Sequence, residues 1–251
     1  MLRKRQHLLY STTMSNKKDN KPQKTQFDFL VQKIPFLACL SETELAVFKN
    51  YIIEKDFLKN QVILHEADTL NYLYFVYSGK VKAIQISADG QEMILAIRKG
   101  GDFFGEMAII DGMTVPATIV AIEDTRVGFI SKQDFENYLL QNRKALMEII
   151  SILCSRLREA WLMLKVLSFA NAEQRIRMVL INIGDQFVVK DPRGTIINLR
   201  LTHQDIANLA TTARETVTRA ISRFVQAGEI EILEKKYIIL KPDFIKKTDL
   251  L

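Results

Sequence analysis

Two helix starts lie a short turn apart in the run Thr-His-Gln-Asp-Ile-Ala-Asn-Leu-Ala-Thr-Thr-Ala-Arg-Glu-Thr-Val-Thr-Arg-Ala-Ile-Ser-Arg-Phe, from Thr202 to Phe224. Thr202 can cap free backbone N–H groups, and Asp205 three residues later puts negative charge in the positive first turn. Ile206 and Leu209 share one face, while the small Ala207 sits on the side a crossing helix approaches. Ala210, Thr211 and Thr212 make a break, after which Thr212 and Glu215 predict a second start with a Thr-x-x-Glu capping box. Val217, Ile221 and Phe224 then recur at helical spacing and form a buried stripe. Arg214, Glu215, Thr218, Arg219 and Ser222 fall on the other faces.

This is the layout of a helix-turn-helix, which sets its second helix in the DNA major groove. The planar fork of Arg spans two acceptors on a guanine edge, and Glu accepts from a cytosine amino group. The competing reading is a solvated amphipathic helix, because Glu215 and Arg219 also have the spacing of a surface i,i+4 ion pair. The segment Glu229-Ile-Glu-Ile-Leu-Glu-Lys-Lys-Tyr-Ile-Ile-Leu240 favours the first reading. It predicts a strand, a polar turn near Glu234 to Lys236 and a return strand, a winged-helix ending.

Gln204-Asp-Ile-Ala and Arg214-Glu-Thr-Val-Thr-Arg219 resemble the DNA-binding signature of the cyclic-AMP receptor/FNR superfamily of bacterial transcription regulators. In that family the two Arg and the Glu of Arg-Glu-Thr-Val-x-Arg read base edges, which implies those roles for Arg214, Glu215 and Arg219. The resemblance extends the expected DNA-contacting set to Thr202, His203, Gln204, Thr216 and Thr218. Thr211 departs from the pattern, since many members carry Gly in the turn.

The formal charge of +6 looks like a nucleic-acid signal, yet seven Lys and Arg against one Asp in residues 1–25 account for all of it. The remainder is neutral, so the helix-turn-helix alone carries the DNA-binding reading. Residues 1–25 are polar and aperiodic and are expected to be a disordered tail, with Met14 an alternative start. No apolar run approaches the roughly 20 residues of a membrane span, and the basic opening lacks a signal-peptide core and cleavage site. A cytoplasmic, non-membrane protein is expected. Cys39 and Cys154 stand far apart without a Cys-x-x-Cys pair, which indicates neither a zinc site nor a disulfide framework and excludes four-cysteine cluster ligation within one chain.

From Phe27 to about Leu58 the pattern reads as helical, with a Ser41 cap. Leu73–Tyr77, Val81–Ile86, Glu92–Ile97, Thr118–Ile122 and Arg126–Ile130 then alternate as strands, with turns at Ser78-Gly79-Lys80, Asp89-Gly90, Gly100-Gly101 and Asp111-Gly112. No helix alternates with them, so a closed or sandwiched β domain is expected and a doubly wound dinucleotide fold is not. After Asp134 the period becomes helical to about Phe169. Leu146, Ile150, Leu153, Leu157, Ala160, Leu164 and Leu167 step by four and three, an a/d seam that predicts a parallel helix pair across a two-fold dimer rather than a helix packed only on its own β domain. Such a dimer implies a palindromic operator. The expected class is α+β: a tail over 1–25, a cyclic-nucleotide-binding-like β-roll over 26–137, a dimerisation helix over 138–170 and a winged helix over 171–251.

Gly101-Asp-Phe-Phe-Gly-Glu-Met-Ala-Ile-Ile-Asp-Gly112 resembles the phosphate-binding cassette of the cyclic-nucleotide-binding β-roll. The resemblance implies an effector pocket at Gly105, Glu106, Met107, Ala108, Val115, Pro116, Ala117, Ala160 and Trp161. In nucleotide-binding members the Gly-Glu pair contacts phosphate and ribose, and a downstream Arg-Ser pair clamps the cyclic phosphate. Here Val115-Pro116 stands at that place, which removes a planar cation, a hydroxyl and a backbone N–H. Ala160 and Trp161, at the positions facing the purine, offer no hydroxyl. Cyclic AMP bound in the usual way is therefore not expected, and the pocket reads as apolar and partly filled by Trp161.

Gly105 itself reads first as a turn residue. No cofactor follows from the sequence: His65, read as a half-buried strand residue, His203 in the DNA-binding head and His7 in the tail offer no evident haem or metal ligand. No Ser/His/Asp spacing, P-loop or dinucleotide fingerprint suggests an enzyme. Two readings remain: a homodimeric, DNA-binding regulator controlled by an unidentified effector and working with RNA polymerase, and a constitutive DNA-binding regulator with a vestigial sensor.

Overall fold

The computed structural model describes residues 26–168, 171–234 and 237–246, and the basic tail, with Met14 and His7, lies outside them. The chain opens with α1 (Gln26–Lys33), a 3-10 turn (Leu37–Cys39) and α2 (Glu42–Asn50). Ser41 caps α2: its side chain accepts the Glu44 N–H, and Glu44 accepts the Ser41 N–H at 2.7 Å.

The helical reading fails beyond α2, because Ile53–Phe57 is a strand, β1. Its residues are exposed but for Phe57, so apolar periodicity carries little information, and it is held by antiparallel pairing with β8 (Thr125–Ser131). Between them run β2 (Val62–Leu64), β3 (Tyr72–Ser78), β4 (Lys80–Ile86), β5 (Glu92–Lys99), β6 (Phe103–Phe104), the short α3 (Glu106–Asp111) and β7 (Thr118–Ala121). These strands form two four-stranded sheets, ordered β1-β8-β3-β6 and β2-β7-β4-β5. Phe36, Phe48, Phe75 and Phe103 pack edge-on or tilted in the core of this β-roll.

A short α4 (Lys132–Phe135) and a π turn (Glu136–Leu140) lead into α5 (Arg143–Ser168), a single helix of 26 residues. None of the described helices is long and apolar enough to cross a membrane. The C-terminal part holds α6 (Ala172–Gln186), β9 (Val188–Asp191), β10 (Gly194–Ile197), α7 (His203–Ala210), α8 (Arg214–Gln226), β11 (Ile230–Ile232), β12 (Ile238–Leu240) and α9 (Pro242–Lys246). Its sheet runs β11-β12-β10-β9. The β11-β12 ladder is the expected wing, of whose turn Lys235 and Lys236 lie outside the described residues.

The head rests on the β-roll. Asn208 Nδ2 of α7 donates to Glu92 Oε1 of β5 at 3.0 Å, and Lys82 Nζ of β4 reaches the same oxygen at 2.6 Å.

Candidate nucleic-acid interface and effector region

Thr202 holds α7 as its spacing requires. Its hydroxyl oxygen accepts the Asp205 N–H at 3.1 Å, and Asp205 Oδ2 accepts the Thr202 N–H at 2.9 Å. At the other end Thr211 takes a left-handed conformation, φ 47°, the region that favours the Gly expected at this turn. Arg175 of α6 braces that turn by donating to the Ala210 carbonyl at 3.1 Å.

The second start differs from expectation. The residue preceding α8 is Ala213, extended at φ −76° and ψ 145°, and no side chain caps the helix. Thr211 to Ala213 are spent reversing the chain, so Glu215 becomes the second residue of α8 and cannot reach back to close a box with Thr212.

Val217, Ala220, Ile221 and Phe224 are buried, and Arg214, Glu215, Thr218 and Arg219 are exposed. No ion pair joins Glu215 to Arg219 among the described residues, so the helix does not neutralise its own reading face. His203 Nδ1 lies 2.8 Å from the Thr218 hydroxyl, Gln204 donates to Asn208 at 2.7 Å, Thr202 is exposed, and Thr216 is half-buried. Beneath this face Arg177 is buried against Glu229 at 2.6 Å and stacks over Phe224 and Phe244, at 4.5 and 4.3 Å from the ring centres. That pairing fixes α8 to its domain.

In the β-roll, Gly105 is left-handed at φ +87°, and a Cβ there would meet Leu70 Cδ2 at 2.8 Å and the Tyr72 carbonyl at 3.1 Å. The turn alone demands glycine. Glu106, only 7% exposed, is engaged from within the chain: Arg156 of α5 binds it at 2.5 Å, donates to the Phe103 carbonyl at 2.7 Å and lies over the Phe103 ring at 4.2 Å. Val115 is 4% exposed and belongs to the core, with its N–H bonded to the Asp68 carbonyl at 2.9 Å. Ala108 and Ala117 are buried, while Pro116 is exposed and its carbonyl accepts from Gln85 at 2.9 Å.

Met107 faces solvent instead of an effector cavity, and Trp161 is 61% exposed and fills no pocket in its own chain. Trp161 follows Arg156 by five residues, and so leaves the α5 face that packs on the roll. His65 is also exposed and follows β2, where Asp68 accepts its N–H at 3.1 Å, so it is not a half-buried strand residue.

Along α5 the apolar positions divide. Leu153 packs against the β-roll core, and Leu146 and Leu167 are half-buried. Ile150, Leu157, Ala160 and Leu164 are exposed, together with Met147, Cys154 and Trp161. The free stripe thus steps 147, 150, 154, 157, 161, 164: it keeps Ile150, Leu157 and Leu164 of the expected seam, replaces Leu146, Leu153 and Ala160 by the next residue in each case, and leaves out Leu167.

Residues 54–142 match the family of cyclic nucleotide-binding domains, and residues 174–247 match Crp-like helix-turn-helix domains. The anaerobic regulatory protein of Haemophilus influenzae is 30% identical over 208 residues, covering 82% of this chain and 79% of that protein. The chain belongs to the cyclic-AMP receptor/FNR superfamily. The cyclic AMP receptor protein of Thermus thermophilus is 29% identical over 198 residues, covering 79% of this chain and 88% of that protein. The structure of FixK2 from Bradyrhizobium japonicum shares the fold, with a TM-score of 0.69 at 22% identity over 80% of this chain and 96% of that one.

As a member of the superfamily the chain is a transcription regulator with a helix-turn-helix DNA-binding domain. Its departures from the family pattern noted above lie at Thr211, at Val115-Pro116 and at Ala160-Trp161. Sequence reading missed Arg156 and Arg177, because each meets its carboxylate partner across 50 or more residues. The β9-β10 hairpin was also missed, although Asp191-Pro192-Arg193-Gly194 is a turn signal. Among the described residues no group of His, Cys, Asp and Glu is placed to hold a metal ion.

Proposed function

We propose that this regulator acts as a homodimer on a palindromic operator, with Arg214, Glu215 and Arg219 of each copy reading base edges and Thr202, His203, Gln204, Thr216 and Thr218 completing the contact. The observation that carries this reading is that Arg214, Glu215 and Arg219 stand exposed on α8, with no ion pair among the described residues, above the buried Val217, Ala220, Ile221 and Phe224. The dimer reading rests on the exposed stripe of α5, where Leu157 is 51% and Leu164 65% exposed in a single chain. Parallel pairing of two copies covers those side chains and spaces two α8 helices for successive major grooves. RNA polymerase is the partner such a regulator addresses in a cell.

The Thermus relative's name raises cyclic AMP as the effector. Three features argue against that ligand bound in the usual manner: Val115 occupies the core in place of a cation, Pro116 has no N–H to give, and Glu106 is held by Arg156. The same features favour a second reading, a sensor that no longer takes a nucleotide and a head that binds DNA without one. Operator selection and gel shifts with purified, ligand-free protein separate the two readings. Strong binding supports a constitutive regulator, and binding that requires an added extract supports an effector. Sedimentation of Leu157→Glu tests the dimer. Loss of the dimer is expected, since a buried unpaired carboxylate would face its own copy; an unchanged dimer overturns the seam.

A further inference from the structure

A hollow of about 310 Å³ lies where β5, α5 and the end of α6 meet. It shares Gly101, Asp102 and Phe103 with the start of the cassette, but Gly105, Glu106, Val115 and Ala117 take no part in its walls, so it opens beside the nucleotide-contacting part and not within it. Lys33, Arg98, Lys99 and Arg156 line it against only two carboxylates, Asp102 and Glu159. Arg98 is the most telling of these. Its side chain is 18% exposed, yet the nearest carboxylate oxygen, on Glu159, is 3.8 Å away, beyond hydrogen-bonding distance. Among the described residues its one hydrogen bond is a long contact of 3.4 Å to the Ile97 carbonyl. Burial, and then the charge of Arg156, lower its pKa, while Asp102, Glu159 and Glu106 act against them without any of their oxygens within hydrogen-bonding distance among the described residues.

We propose that this hollow binds a small organic anion with a doubly charged oxyanion head, a phosphate monoester or a dicarboxylate, held by Arg98 and Lys33, while Arg156 stays on Glu106. A guanidinium fork suits such heads, and a bound dianion supplies the buried Arg98 with the acceptor it lacks within hydrogen-bonding distance. Ile34, Pro35, Phe103, Ile152 and Phe187 supply an apolar wall for the rest of the ligand. A molecule seated here touches the β-roll, α5 and, through Gln186 and Phe187, the root of the DNA-binding head. It therefore favours whichever arrangement of head and roll keeps those walls together.

Calorimetry of the full chain at fixed ionic strength, with inorganic phosphate and with succinate as probes, tests the site without DNA. Saturable binding of at least one probe is expected, and which one binds assigns the head group. Arg98→Gln should weaken that probe about tenfold, the loss of one charge-assisted contact. Glu159→Gln should tighten it, because a competing carboxylate is gone; misfolding cannot imitate that gain. No saturable heat with either probe overturns the proposal. So does unchanged affinity in Arg98→Gln with a native melting curve, and so does Glu159→Gln binding no tighter than the wild type. If Arg98→Gln does not fold, Glu159→Gln decides alone.

Discussion

Arg214 and Arg219 on α8 stand in solvent with no carboxylate partner among the described residues, whereas Arg156 on α5 is folded onto Glu106, the Phe103 carbonyl and the Phe103 ring. The same side chain thus serves two opposite ends. A guanidinium left free at the surface is hydrated and keeps its donors available for a ligand. One already bound to a buried carboxylate has been desolvated during folding, and a ligand that wants it must first displace that partner. The head of the molecule is built to be completed by another molecule, and the cassette of the β-roll is largely completed by its own chain.

The strongest way to break this contrast is to remove the internal partner. Arg156→Met leaves Glu106 buried and unpaired, which should cost about 3–5 kcal/mol of stability. The double change Arg156→Met with Glu106→Gln should recover much of that loss, since no uncompensated charge remains. Thermal or urea unfolding of both variants makes the comparison. A single variant as stable as the wild type shows that Glu106 is hydrated, and the cassette is then as open as the head.

Next in size is the effect at the reading face. Arg214→Ala and Arg219→Ala should each lose about 1–3 kcal/mol of discrimination between the cognate operator and a mismatched one, with fold and sedimentation unchanged. Gel-shift titration at fixed salt reads this directly. Equal loss on both DNAs, with a shallower salt dependence, would reassign the residue from base to phosphate contact. A smaller effect is expected at Thr218. Its hydroxyl is held 2.8 Å from His203 Nδ1, so His203→Ala should cost about 0.5–1.5 kcal/mol of operator affinity by freeing that rotor. Thr218→Val in the same titration should cost at least as much, and a cycle with no coupling between the two separates them.

The contrast also explains what was legible in the chain. Helix-turn-helix residues interact within a few positions of one another, so Thr202 with Asp205 and the stripe Val217, Ile221, Phe224 announce themselves by spacing. The exception, Thr212, failed because the left-handed turn at Thr211 delays α8 by a residue, which polarity patterns do not register. Internal completion is invisible to such reading. Arg156 and Glu106, like Arg177 and Glu229, meet only after the strands have assembled, and nothing near either residue hints at its partner. The seam on α5 is intermediate. Leu146 and Leu153 obey the heptad as well as Met147 and Cys154 do, and only the roll packed against Leu153 shows which set remains free.

The smallest expected effect is the response to cyclic AMP, where no tightening of operator binding is predicted. A tenfold response needs about 1.4 kcal/mol of preference for one arrangement of the protein over another. A cyclic phosphate entering the cassette meets the Val115 side chain in the core instead of a cation, and an exposed Pro116 without an N–H. The nearest guanidinium that could replace the missing one is Arg156, and taking it would strip Glu106 of its 2.5 Å partner in a site that is 7% exposed. The gain from the phosphate and the loss from the carboxylate are of the same kind and oppose one another, which leaves little free energy for a switch. Calorimetry and gel shifts with saturating cyclic AMP check this together. Micromolar binding accompanied by tighter operator binding would show that Arg156 does change partners, and the distinction between a free and a committed guanidinium would then be one of state and not of structure.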